Sequence, residues 1–265
     1  MLDTLSPAVD RVPRHRMPAA PLPEARASGV IELRQYTLHP GRREELITLF
    51  EREFVETQEA AGMMLLGQFR DLDEPDRFVW LRGFADMAKR RDALARFYQG
   101  PAWRAHRDAA NATMIDSDNV LLLRPVVPAA ALDVSAPPPA NAAAAPEQSR
   151  IVICLHYFDA PVNAEWLAHF EQIQHPWLEG MHARVLATLV TEGAANDDPA
   201  LPVREGEHVF ACVLQFADEA THERCDRQLQ AAWRIGAQPH RTELLRLVPT
   251  ARSRMGRDVA TRRED

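Results

Sequence analysis

Five side chains in the first half of the chain have the types and spacing of a binding site. Along VIELRQYTL at 30–38, strand alternation puts Glu32, Arg34 and Tyr36 on one face and Ile31 and Leu33 on the other. Along RFVWLRGF at 77–84, Phe78, Trp80, Arg82 and Phe84 alternate with Val79, Leu81 and Gly83. The smaller apolar sets suit a covering layer of helices. Trp80 and Arg82 are therefore expected to join Glu32, Arg34 and Tyr36 on the face that looks into the space between two sheets. A carboxylate, two guanidiniums and two aromatic rings could hold a small hydrophobic or aromatic molecule by charge and stacking. The competing chemistry is structural: Glu32 paired with Arg34 or Arg82 inside a closed barrel.

Histidine supplies the second set of candidates. Seven of the ten fall in the second half: His156, His169, His175, His182, His208, His222 and His240. A haem needs an axial histidine, and a metal ion needs several convergent ligands. No H-x-x-x-H pair occurs, and only His222 and Cys225 share a helical spacing. His175 stands before Pro176 and Trp177, where the proline should break a helix. Surface and capping roles account for these histidines, so no metal is expected, and no cofactor except haem as an alternative. Trp103 and Trp233 read as core anchors. Asn111 and Asn119 are the polar residues available for cofactor-free oxygen chemistry. Nucleotide-binding glycine loops, nucleophile elbows and zinc motifs are absent from the sequence.

The elements that must position these residues repeat. FAD at 84–86 and AWR at 102–104 recur as FAD at 216–218 and AWR at 232–234, and Phe50-Glu51 recurs as Phe170-Glu171. Each half ends on a leucine-rich strand and a proline, LLLRP at 121–125 and LRLVP at 245–249. In the first half the pattern reads strand 30–38, helix 42–61, strand 63–69, strand 77–84, helices 87–98 and 102–114, and strand 119–124. In the second it reads strand 151–158, helix 163–175, strands 184–191 and 207–216, helix 219–235 and strand 241–248. That is βαββαβ twice, the ferredoxin-like order. An α+β fold follows, in which two such units pair as a dimeric α/β-barrel, within one chain or in a homodimer. Matching Tyr36 to Tyr157 places Ile153, Leu155, Cys212 and Leu214 at the positions of Glu32, Arg34, Trp80 and Arg82, so the second unit has lost the polar set.

Composition frames these units. The chain has 265 residues, 46% hydrophobic and 26% charged, with a net charge of −7. The ends are slightly basic and the body is acidic, so a nucleic-acid partner is not expected. No apolar run is long enough to span a membrane. Residues 1–29, with Pro7, Pro13, Pro18, Pro21 and Pro23 and no apolar stretch of signal length, read as a disordered leader. Residues 126–149, with nine Ala and five Pro, read as a linker. Residues 251–265 read as a disordered tail. Between them lie the two domains, 30–125 and 150–250. Cys154, Cys212 and Cys225 are too few for a disulfide framework and fit a reducing cytoplasm.

VIELRQYTLHPGR at 30–42 resembles the opening of the NIPSNAP domain, whose first strand carries an E-L-R-x-Y-x-L-x-P-G pattern. The aromatic third strand, the FAD turn, AWR at 102–104 and the terminal LLLRP also resemble that family over the whole first domain. The second domain is similar but diverged: ICLHYFDAPV at 153–162 stands for ELRQYTLHPG, without the Pro-Gly turn. The resemblance implies the dimeric α/β-barrel superfamily, which includes cofactor-free monooxygenases and haem-degrading and haem-dependent enzymes. NIPSNAP members share no agreed reaction. Two functions follow as expectations: binding of a small hydrophobic or aromatic molecule without turnover, or a cofactor-independent monooxygenase-like or haem-binding enzyme.

Overall fold

The computed structural model describes residues 28–127, 139, 149–232 and 239–256. The expected leader up to residue 27, most of the linker, the tail beyond Gly256, and Trp233 lie outside the described residues. The first unit runs β1 (Val30–Leu38), α1 (Arg43–Leu49), a π-helical turn π1 (Phe50–Phe54), α2 (Val55–Ala60), β2 (Met64–Asp71), β3 (Arg77–Phe84), α3 (Met87–Tyr98), α4 (Pro101–Asn111) and β4 (Met114–Pro125). The second runs β5 (Arg150–Phe158), α5 (Ala164–His169), π2 (Phe170–Gln174), α6 (His175–Gly180), β6 (Arg184–Thr191), β7 (His208–Phe216), α7 (Glu219–Ala232) and β8 (Arg241–Pro249).

Local chemistry sets the boundaries. Gly41 takes φ +75° in the turn before α1, where its N–H donates to Asp76 Oδ1 at 2.7 Å. Gly62 takes φ +100° directly after α2, a left-handed position that favours glycine. Asp86 caps α3 by accepting from the Lys89 N–H at 2.7 Å, and Asn163 caps α5 by accepting from the Trp166 N–H at 2.9 Å. Pro176 does not break its helix as expected. It occupies the first turn of α6, just after π2. A proline's missing donor is tolerated there.

Each unit forms an antiparallel four-stranded sheet, and the two sheets join by their edges. The order is β1-β3-β2-β8-β5-β7-β6-β4, closed into one eight-stranded barrel within the single chain. The seams are short: Phe69 to Asp71 on β2 face Leu247 to Pro249 on β8, and Leu123 to Pro125 on β4 face Leu189 to Thr191 on β6. Closure pairs every edge strand and removes the open edge that invites aggregation.

The interior is apolar and drawn from both units. Ile31, Leu33, Val79, Leu81, Leu121 and Leu123 meet Ile151, Ile153, Leu155, Leu189, Val213 and Leu245 there. This inverts the expected faces. Ile31 and Leu33 point into the barrel, whereas Tyr36 and Trp80 pack against the helices. The same geometry corrects the repeat register. Glu32 pairs across with Arg82 and Arg34 with Trp80, while Val152 pairs with Leu214 and Cys154 with Cys212. The counterparts of Glu32, Arg34 and Tyr36 are therefore Val152, Cys154 and His156. Tyr157 faces the interior.

The expected tail is corrected at residues 251–256. Ser253 and Met255 are buried, and Met255 belongs to the barrel core. Its N–H donates to the Leu66 carbonyl at 3.3 Å, and its sulfur lies over Gly67. Gly67 is required because a Cβ there would stand 2.3 Å from the Phe69 ring. Residues 250–256 thus continue the β8 seam beside β2 and plug Met255 into the barrel core. Met255→Ala is expected to cost about 2–4 kcal/mol, as for other buried methionine truncations. Urea denaturation measures it, and a loss below about 1 kcal/mol would show the plug to be dispensable.

Candidate functional site

Beneath the helices of the first unit, Glu32 is fully buried and ringed by three guanidiniums. Arg34 Nη1 and Arg82 Nε each donate to its Oε2 at 2.7 Å, and Arg90 Nε donates to its Oε1 at 2.7 Å. Arg34 and Arg82 come from the strands. Arg90 comes from α3, where it shares the buried stripe with Ala93, Leu94 and Phe97. Burial pushes the Glu32 carboxyl up, but the charges of Arg82, Arg34 and Arg90 more than reverse this and hold it well below the usual carboxylate range. Burial opposes the Arg34 charge, yet Tyr36 and Glu32 keep its pKa above the ordinary arginine value.

One carboxylate cannot balance three guanidiniums. The second unit supplies part of the difference: Arg90 Nη1 donates to Asp197 Oδ1 at 3.0 Å and to Asn196 Oδ1 at 3.1 Å. Arg82 Nη1 donates to Gln58 Oε1 at 3.1 Å, and Arg34 Nε to the Tyr36 hydroxyl at 3.0 Å. The Arg34 and Arg82 planes lie 5.6 and 5.1 Å from the Trp80 ring centre. Arg82 Nη2, Arg90 Nη2 and Trp80 Nε1 find no protein acceptor among the described residues.

Beside this cluster an aromatic-walled cavity of about 30 Å³ lies between sheet and helices. Tyr36 and Trp80 line it from the strands, Phe50, Phe54 and Gln58 from π1 and its flanking helices, and Phe97, Tyr98 and Trp103 from α3 and α4. The π turn presents Phe50 and Phe54 together: Phe50 stands 4.9 Å from Trp80, and Phe54 stands 5.6 Å from Phe97. The volume suits a water-sized group. A larger guest requires α4 to shift. Ala110 is the only fully buried residue of α4, and the helix starts on the Gly100–Pro101 joint.

All five expected side chains therefore come together, but under the helices. Glu32, Arg34 and Arg82 form the ion-pair cluster, while Tyr36 and Trp80 reach the cavity. Arg90 and Asp197 were missed. Arg90 had a readable sign, a charge on the apolar stripe of α3. The histidines do not converge. His156 is buried between Trp166 and Phe210 with Nδ1 3.1 Å from Thr242 Oγ1, whereas His175 and His240 pair with Glu171 and Asp159. Among the described residues no group of three His, Cys, Asp or Glu could hold a metal ion, and no helix is long and apolar enough to cross a membrane. Asn119 accepts from Arg204, and Asn111 is exposed at the end of α4.

Residues 31–129 match the NIPSNAP family. No curated protein matches the sequence. Among solved structures, a candidate monooxygenase from Lactobacillus acidophilus NCFM is similar at 14% identity and TM-score 0.49, over 84% of this chain and 94% of that one. An uncharacterized NIPSNAP domain protein from Burkholderia xenovorans is similar at 17% identity and TM-score 0.35, over 37% of this chain and 95% of that one. A NIPSNAP family protein of unknown function from Agrobacterium tumefaciens str. C58 is similar at 21% identity and TM-score 0.34, over 36% of this chain and 86% of that one.

Proposed function

We propose, starting from the NIPSNAP domain at residues 31–129, that this chain binds a small aromatic or hydrophobic molecule between the sheet and helices of its first unit, without turning it over. The observation that carries the reading is the aromatic cavity lined by Trp80, whose Nε1 has no protein acceptor among the described residues. With α4 shifted to make room, a ring stacks on those walls, and a hydrogen-bond acceptor on it satisfies the indole N–H. The second unit lacks these side chains at the matching positions. Val152, Cys154, Cys212 and Leu214 stand where the first unit has Glu32, Arg34, Trp80 and Arg82, and they pack as plain core. Binding without turnover is favoured over monooxygenase-like chemistry because Glu32, Arg34 and Arg82 are engaged with one another and none of them lines the cavity. The buried free thiols of Cys154, Cys212 and Cys225 fit a cytoplasmic location.

Native mass spectrometry of the purified chain, followed by titration with 1-naphthol read by tryptophan fluorescence, tests this. Trp80→Phe removes the N–H and keeps an aromatic ring in the core. It should weaken binding about tenfold, the worth of one hydrogen bond, and lower the melting temperature modestly, because the smaller ring underfills the core beneath Arg34 and Arg82. Unchanged affinity in Trp80→Phe, or no binding of any aromatic probe, would remove the assignment.

A further inference from the structure

The connection between β6 and β7 covers residues 192–207, sixteen residues, where its counterpart between β2 and β3 covers five, 72–76. Connections longer than about 12–15 residues are uncommon in compact domains and are usually functional. This one is organised by its own polar groups. Asn196 Nδ2 donates to the carbonyls of Asp198 and Leu201, and Asp198 Oδ1 accepts from the Ala200 N–H. It is also anchored on the first unit. The Arg204 N–H donates to the Val120 carbonyl at 2.8 Å, and its guanidinium donates to Asn119 Oδ1 and Tyr157 Oη at 3.2 Å while pairing with Glu207.

Between this loop and the β4–β6 seam lies a cavity of about 660 Å³, within the roughly 300–1,000 Å³ of small-molecule sites. Leu122 and Val190 from the seam strands and Val162 from the β5–α5 connection give it an apolar lining. Its charges divide into engaged and free. Glu207 is engaged by Arg204. Arg124, paired in register with Val190, has no ion pair or hydrogen bond from its side chain among the described residues. Glu192 and Glu205 each use Oε1 to accept a loop N–H, from Ala194 at 2.9 Å and from Asn196 at 3.3 Å, and the Oε2 of each has no partner among the described residues.

We propose that this seam cavity binds a small zwitterion with an apolar body, of the amino-acid or short-peptide class. The ligand's carboxylate meets Arg124, its ammonium meets Glu192 and Glu205, and its body lies on Leu122, Val190 and Val162. Both signs are needed. A simple anion would face two carboxylates, and a simple cation would face an unpaired guanidinium. The site is separate from the aromatic cavity of the first unit and stands or falls without it.

Isothermal titration of the full chain with the dipeptide Leu-Phe, its N-acetyl form and its C-terminal amide tests the proposal. Leu-Phe should bind, and blocking either end should weaken binding about tenfold, as should Arg124→Ala or Glu192→Gln, each removing one charge-assisted contact. Arg124→Lys should recover part of the loss. Both residues sit on the surface of the seam, and melting temperatures confirm that the variants fold. If a variant does not fold, the blocked peptides on the unaltered chain still decide. Equal affinity for free and blocked peptides, insensitivity to Arg124→Ala, or no binding of Leu-Phe overturns the proposal.

Discussion

Glu32→Gln should unfold far more easily than the parent chain, losing about 3–5 kcal/mol at neutral pH, the cost of breaking a buried ion pair by removing one partner. The substitution barely changes shape. It removes the fully buried carboxylate that three buried guanidiniums share and leaves Asp197, a quarter exposed, as the counter-charge of Arg90. Urea denaturation at neutral pH measures the loss. The pH dependence carries the same sign. The Glu32 carboxyl ionises more readily folded than unfolded, where it titrates near 4.5. Its contribution is present above that value and is lost as pH falls below it toward the lower folded value. Glu32→Gln should therefore flatten the acid limb below pH 4.5. A loss under about 1 kcal/mol would mean that the guanidiniums relax into solvent and that the cluster is not a structural unit. Replacing the whole cluster by apolar residues of similar volume should cost much less than the single change, because no charge is then stranded.

That asymmetry explains why the cluster was only half legible. Glu32, Arg34, Tyr36, Trp80 and Arg82 share a face by simple alternation, and that grouping holds. Which face it is cannot be read from polarity here. Both sides of the sheet are buried, one by the opposite unit and one by helices, so the rule that the apolar side meets the helices has no purchase. The barrel interior, shared by eight strands, is filled by medium-sized aliphatic side chains. Three guanidiniums fit only where α2, α3 and a loop from the other unit supply Gln58, Arg90 and Asp197.

The strands themselves were plain. β3 and β6 begin and end where alternation and turn residues place them. β4 is longer than expected because Met114 reads as the end of a helix and IDSD at 115–118 falls between that helix and the expected strand, yet Met114 and Asp116 pair against Leu38 and Thr37 on β1, with register shifts that absorb the misfit. The π turns left no trace in the pattern. Phe50 and Phe54 fit an ordinary helical stripe, and one extra residue per turn changes the hydrogen bonds without changing which residues look apolar. Their recurrence at Phe170–Gln174 is a structural signature of the repeat that Phe50-Glu51 and Phe170-Glu171 only hinted at.

His156 should make the protein lose stability on mild acidification, well before Glu32 titrates. It occupies the place of Tyr36 in the second unit, against Trp166 and Phe210 and fully buried. Burial lowers its pKa to about 3, from 6.5 in an exposed chain. Between those values the unfolded chain takes up a proton that the folded chain refuses. Stability is then greatest above pH 6.5 and falls by about 1.4 kcal/mol per pH unit below it, until the folded imidazole itself titrates near 3. At pH 5 the loss from this residue is about 2 kcal/mol relative to pH 7. His222, whose pKa burial also lowers, adds a smaller slope of the same sign. The measurement is therefore a difference between two chains. Urea denaturation of the parent and of His156→Gln at pH 7, 6 and 5 should give curves that converge as pH falls, because the variant keeps the His222 slope and loses the larger one. Parallel curves would mean that His156 takes up its proton in the folded state, with Thr242 and the adjoining strand opening to admit water. The window from 6.5 to 5 lies above the titration of Glu32, so the two buried groups act on the stability of the one shared barrel in separate pH ranges: His156 on mild acidification, and Glu32 only below its unfolded value near 4.5.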